Sequence, residues 1–136
     1  MTFLDSFKQN FIEESRWKYI INGLGVTLRV TLFAVLIGIA IGFVVAIIRS
    51  TYEKTGKLKI CNFLANIYLT VIRGTPVVVQ LLIIYFVIFG STRVDKIFVA
   101  IIAFGINSGA YVAEIVRSGI MSIDPGQMEA GRSLGF

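Results

Sequence analysis

Three stretches of the chain carry no charged side chain: Val30 to Ile48, Gly74 to Thr92 and Ile97 to Ala113, of 19, 19 and 17 residues. A helix of about 20 residues covers the ~30 Å hydrocarbon core of a bilayer, so each stretch is a candidate membrane span. Composition agrees. The 136 residues are 56% hydrophobic and 15% charged, against about 45 to 50% and about 25% in ordinary soluble domains.

Several function classes fall away on the same reading. The net charge of +5 could suggest a nucleic-acid partner, but the thirteen Lys and Arg are scattered between apolar runs rather than gathered in one stripe. No nucleic acid is expected. A single cysteine, Cys61, cannot form an internal disulfide, and without histidine neither a common zinc site nor a His-based triad has its parts. The first apolar run starts too far from the beginning of the chain, is too long, and leads into basic residues rather than a cleavage site, so it is not read as a signal peptide.

Charge sets the expected topology. Between the first two runs "RSTYEKTGKLK" carries Arg49, Lys54, Lys57 and Lys59, whereas "STRVDK" between the last two carries only Arg93 and Lys96. The positive-inside rule places the first loop in the cytoplasm, the N-terminus outside and everything after the third run inside. Residues 1–19 interleave Phe3, Phe7, Phe11 and Trp17 with charges and read as an amphipathic segment lying on lipid. Residues 20–136 read as one membrane domain with spans at about 20–48, 71–90 and 97–119. Gly38 and Gly42, four apart in "GIAIG", offer a face for close helix approach.

Two places inside the spans break the apolar pattern. In "IRGTPVVVQ", Arg73 stands at the expected cytoplasmic boundary and can snorkel toward headgroups. Gly74, Thr75 and Pro76 then bend or break the backbone, because Pro76 lacks a donor and disfavours helical geometry in Thr75. A plain kink and a functional hinge both fit. In the third run Asn107, Tyr111, Glu114 and Ser118 fall on one helical stripe that cannot face lipid cheaply. Asn107, Ser108, Tyr111 and Glu114 are candidate contacts for a solute pathway. The competing readings are hydrogen bonding between helices for Asn107 and Ser108, and an i,i+3 ion pair with Arg117 for Glu114.

After the third run, "SIDPGQMEAGRSLGF" has the marks of a new helix starting at 125. Asp124 is the N-cap, Pro125 takes the first helical position and Gln127 the third, a variant of the capping box. Within it, Glu129, Ala130 and Gly131, followed three residues later by Gly135, resemble the EAAxxxG signature of type I ATP-binding cassette importer permeases. "GLGVTLRVTL", "IRGTPVVVQLLIIYF" and "GAYVAEIVRSGI" resemble the polar amino acid branch of that family. Together these stretches cover most of Gly23 to Gly135.

The resemblance implies an all-α membrane protein: three transmembrane helices plus a cytoplasmic coupling helix, an incomplete version of a five-helix permease core, ending just past the signature. It implies a multi-pass subunit of the bacterial inner membrane that moves a polar amino acid by alternating access. The implied partners are a cassette ATPase dimer, a second permease subunit and an external amino-acid-binding protein. ATP would be bound by the ATPase, with no cofactor and no catalysis on this chain. Glu129, Ala130, Gly131 and Gly135 would enter a groove on the ATPase, and the small residues would let the helix seat deeply. Gly131 departs from the second alanine of the signature. Such a partial core is not expected to transport alone. A small three-helix channel or membrane interaction protein is the alternative.

Overall fold

The computed structural model describes all residues, 1–136. It is helical throughout: α1 (Phe3–Phe7), α2 (Trp17–Thr55), α3 (Lys59–Gly74), α4 (Val77–Leu82, continued by a wider π-helical turn Ile83–Ile88), α5 (Lys96–Met121) and α6 (Pro125–Ser133). Helices α2 and α5 are each long and apolar enough to cross a membrane, and α3 with α4 makes a third crossing if that bent pair counts as one.

The expected first and third spans lie inside α2 and α5. The expected second, about 71–90, is not one helix. The chain re-enters helical geometry at Lys59, stops at Gly74 and resumes at Val77, and its direction bends by 107° at the break. Thr75 (φ −111°, ψ 133°) and Pro76 (φ −57°, ψ 137°) are both extended there, as the proline dictates for itself and its predecessor.

At 39 residues, α2 is about 58 Å long at ~1.5 Å per residue, roughly twice the hydrocarbon thickness. It ends at Gly56, whose φ of +72° lets its N–H reach the Tyr52 carbonyl at 2.8 Å. Ahead of it, residues 1–16 bury nothing substantial. Asp5 accepts from the Thr2 N–H (3.1 Å) and hydroxyl (2.5 Å), which holds its carboxyl below the usual range. Phe3, Leu4, Phe7, Phe11 and Ile12 all remain exposed.

The body of the fold is a seam between α2 and α5. A Cβ on Gly38 would meet Ser108, one on Gly42 would meet Val112, and one on Gly105 would meet Ile37. Residue number rises along both helices together, so the two run parallel. Ala34, Gly38, Gly42, Ala46 and Ser50 form a buried stripe of small residues on α2, facing Gly105, Gly109 and Ala113 of α5. Ala46, Ala103 and Ala110 are at 0% exposure. In lipid no hydrophobic force drives helices together, and close backbone approach supplies the packing instead. Leu32, Phe33, Val44 and Ile115 accordingly point outward.

Because α2 and α5 are parallel, the chain must return between them, and α3 with α4 does so. Ala65 and Leu69 of α3 pack on Val45, Ala110 and Ala113. The Tyr68 hydroxyl donates to the Ile106 carbonyl. The same topology places the end of α2 and the start of α6 at one end of the molecule.

Candidate functional site

Three features carry polar chemistry. The first is a groove of about 610 Å³ between residues 26–35 of α2 and 100–111 of α5, where Thr27, Thr31, Asn107, Ser108 and Tyr111 supply the hydrogen-bonding groups. Its size falls in the range of small-molecule sites, which are mostly apolar with a few placed polar groups. Asn107, Ser108 and Tyr111 are brought together here. Glu114 is not among the residues that line it.

Glu114 sits lower on α5, at the centre of the second feature. Its carboxylate accepts from Arg117 Nη2 and Nε (2.5 and 2.9 Å), from Arg49 Nη1 (2.8 Å) and from Arg73 Nη1 (3.3 Å). Arg117 also reaches both carboxylate oxygens of Glu53 at 3.3 Å. The expected i,i+3 contact with Arg117 is therefore one arm of a network joining α2, α3 and α5. Arg73 does not simply snorkel. Its guanidinium lies 5.8 Å from the Tyr111 ring centroid while its Nη1 holds Glu114. Beside this cluster is a polar cleft of about 210 Å³, also lined by Asn66 and Thr70 of α3.

The third feature is the break at Gly74, Thr75 and Pro76. Two carbonyls at the break are paired by one side chain: Gln80 Nε2 donates to Ile72 O at 2.7 Å and to Thr75 O at 2.8 Å. Gln80 is 6% exposed, and its Oε1 accepts from Asn107 Nδ2 at 3.4 Å. Sequence reading passed over Gln80. The available signal was a lone amide four residues after a proline in an otherwise apolar run.

The signature residues stand apart from all three features, Glu129, Ala130 and Gly131 on α6, which has no buried residue, and Gly135 just past its end. Asp124 caps its start by accepting from Gly126 N at 2.8 Å. Gln127 contributes only its backbone N–H, to the Asp124 carbonyl at 3.0 Å, so the expected reciprocal capping box is not formed. Glu129 and Ala130 are exposed, and Glu129 makes no ion pair. Gly135 lies just past the last turn of α6. With φ at +85° it closes a Schellman motif, its N–H to Arg132 O (3.1 Å) and that of Phe136 to Gly131 O (3.0 Å).

Comparison with known proteins agrees with this architecture. Residues 38–136 match the family described as binding-protein-dependent transport system inner membrane component. The putative glutamine transport system permease protein GlnP of Rickettsia prowazekii is 40% identical over 118 residues, covering 85% of this chain and 52% of the relative. The arginine transport system permease protein ArtQ of Bacillus subtilis is 38% identical over 120 residues, covering 86% and 52%. A crystal structure of an amino acid ABC transporter with histidines superposes with a TM-score of 0.76 at 39% identity, covering 100% of this chain and 58% of that one. The chain thus spans about half the length of the curated relatives it matches. It belongs to the family of inner-membrane components of binding-protein-dependent transport systems.

Proposed function

We propose that this chain forms the solute-conducting part of an ATP-driven importer for a polar amino acid, working by alternating access while a partner hydrolyses ATP. One observation carries the reading. The parallel seam puts the basic residues Arg49, Lys54, Lys57 and Lys59 at the same end of the molecule as a capped helix that buries none of its residues. By the positive-inside rule that end is cytoplasmic and the N-terminus is outside. A helix that keeps its shape without support from its own chain is suited to docking on a partner. In this reading α6 enters a cassette ATPase dimer, with Glu129 as polar contact and Ala130 and Gly131 allowing close approach. Gly135 ends the helix sharply.

The groove supplies the solute site. Asn107, Ser108, Tyr111, Thr27 and Thr31 present amide and hydroxyl groups and no ionised side chain. That set suits the main-chain groups of an amino acid with a neutral polar side chain. The relatives' names, glutamine and arginine transport, support the solute class. Glu114, engaged by three guanidiniums, acts as a strut below the groove rather than as a receptor for a substrate amine. A second permease subunit would complete the pathway, and an external amino-acid-binding protein would deliver the solute. The segment 1–19 would rest on the outer membrane surface through Phe3, Phe7, Phe11 and Trp17.

The docking role is tested on the assembled transporter in proteoliposomes. Glu129→Arg and Gly135→Leu are each expected to cut binding-protein-stimulated ATP hydrolysis by tenfold or more. For Gly135 the cause is that a left-handed residue with a Cβ costs roughly 1 to 2 kcal/mol. Stimulated hydrolysis at the wild-type rate in both variants would sink the role assigned to α6.

A further inference from the structure

Pro76 removes a hydrogen-bond donor at a definite place. In a continuous helix the N–H of residue 76 would bond the Ile72 carbonyl one turn back. Here that carbonyl accepts from Gln80 Nε2, and the second hydrogen of the same amide goes to the Thr75 carbonyl. One side chain therefore holds both sides of the break. Gln80 is nearly enclosed, and an unpaired amide in such surroundings is costly, so its hydrogen bonds and the bend angle stand or fall together. Its remaining polar atom, Oε1, takes a hydrogen bond from Asn107, the residue of α5 that also lines the groove. At 3.4 Å this is longer than the bonds to either carbonyl, and is the first to yield to a competitor.

We propose that Gln80 is a positioning residue that ties the angle of the α3–α4 break to occupancy of the groove. A solute carboxylate or carbonyl that takes the Asn107 amide leaves Oε1 without its donor. The Gln80 amide is then free to turn, its grip on the two carbonyls changes, and the arms re-orient. The inference rests on the reading of the groove as the solute site.

The experiment uses the assembled transporter in lipid nanodiscs, spin-labelled at the exposed native Cys61 on α3 and at Val87→Cys on the far arm, where the native valine is 74% exposed. The probe is glutamine, delivered by the binding protein. In the otherwise unaltered protein the inter-label distance is expected to be narrow and to shift when glutamine is added. Gln80→Leu should give a broad distribution that glutamine does not move. Asn107→Ala should keep the narrow distribution and lose the shift, and the double variant should match Gln80→Leu. In uptake assays normalised to the amount of assembled transporter, Gln80→Leu should lower the turnover number more than tenfold with KM changed less than threefold, whereas loss of folded protein alone would leave the normalised rate unchanged. A glutamine-dependent shift that survives in either single variant overturns the proposal, so the test stands even if Gln80→Leu fails to assemble. Uptake without any shift in the unaltered protein overturns the relay alone, whereas absence of both overturns the functional reading as well.

Discussion

Along the α2–α5 seam the backbones meet through alanine and glycine, whereas across the α3–α4 break they are held by side-chain amides. The seam is a set of hard contacts with one register: a Cβ on Gly38 would lie 2.5 Å from Ser108 Oγ, and one on Gly105 would lie 2.8 Å from Ile37 Cγ2. The break has few such contacts, and a Cβ on Gly74 would meet nothing within 4 Å. What holds it is exchangeable, since Gln80 and Asn107 can each take other partners. A membrane domain built this way has a fixed pair of helices and a returning pair whose geometry can change.

The harshest way to attack that contrast is Gly42→Leu. A Cβ there falls 2.4 Å from Val112 Cγ1 and 3.0 Å from the Ala113 backbone nitrogen. Overpacking costs typically about 1 to 3 kcal/mol and more where backbone is in the way. Assembled complex should disappear from size-exclusion profiles, while Gly23→Leu, at a position with open space, should assemble normally. Equal yields would mean that the seam is as pliable as the break.

Glu114→Gln tests the tie between the two regions, because Glu114 joins Arg49 of the seam to Arg73 at the break. Glu114 is 26% exposed and meets three guanidiniums, so its loss should cost about 1 to 3 kcal/mol, between a surface pair and a buried one, and the thermal midpoint of the complex should fall by a few degrees. An unchanged midpoint would show that seam and break are independent. Glu53→Gln should do least. Its carboxylate is 31% exposed and meets Arg117 at 3.3 Å, a contact worth less than about 1 kcal/mol. A midpoint loss as large as that for Glu114→Gln would move the centre of the network to Glu53.

Much of this was legible from local pattern. Apolar runs located α2 and α5, Asp124 with Pro125 announced α6, and Gly-Thr-Pro marked the break. Each of these is written within a few turns of the residues concerned. The helix α3 is not legible in the uncharged runs, because the expected span at about 71–90 is centred past Pro76, which divides α3 from α4. Glu114 was legible as a partner of Arg117 three residues away, but Arg49 lies 65 positions off, and no helical period links them. Gln80 looked like one polar residue in an apolar run. Its use follows only once Pro76, Ile72 and Asn107 are seen around it. Gly135 fits a family pattern, and its positive φ adds a helix-terminating use that the pattern does not spell out.

The parallel register of the seam has a consequence for how the chain is made. Gly38 meets Ser108 and Gly42 meets Val112, so partners are separated by about 70 residues of synthesis. At roughly 5 to 20 residues per second, the small-residue face of α2 waits about 4 to 14 s for its mate. During that interval the stripe from Ala34 to Ser50 is bare toward lipid and toward any other helix leaving the ribosome. The order of insertion, and not only the final packing, thereby becomes a condition for pairing α2 with the right neighbour.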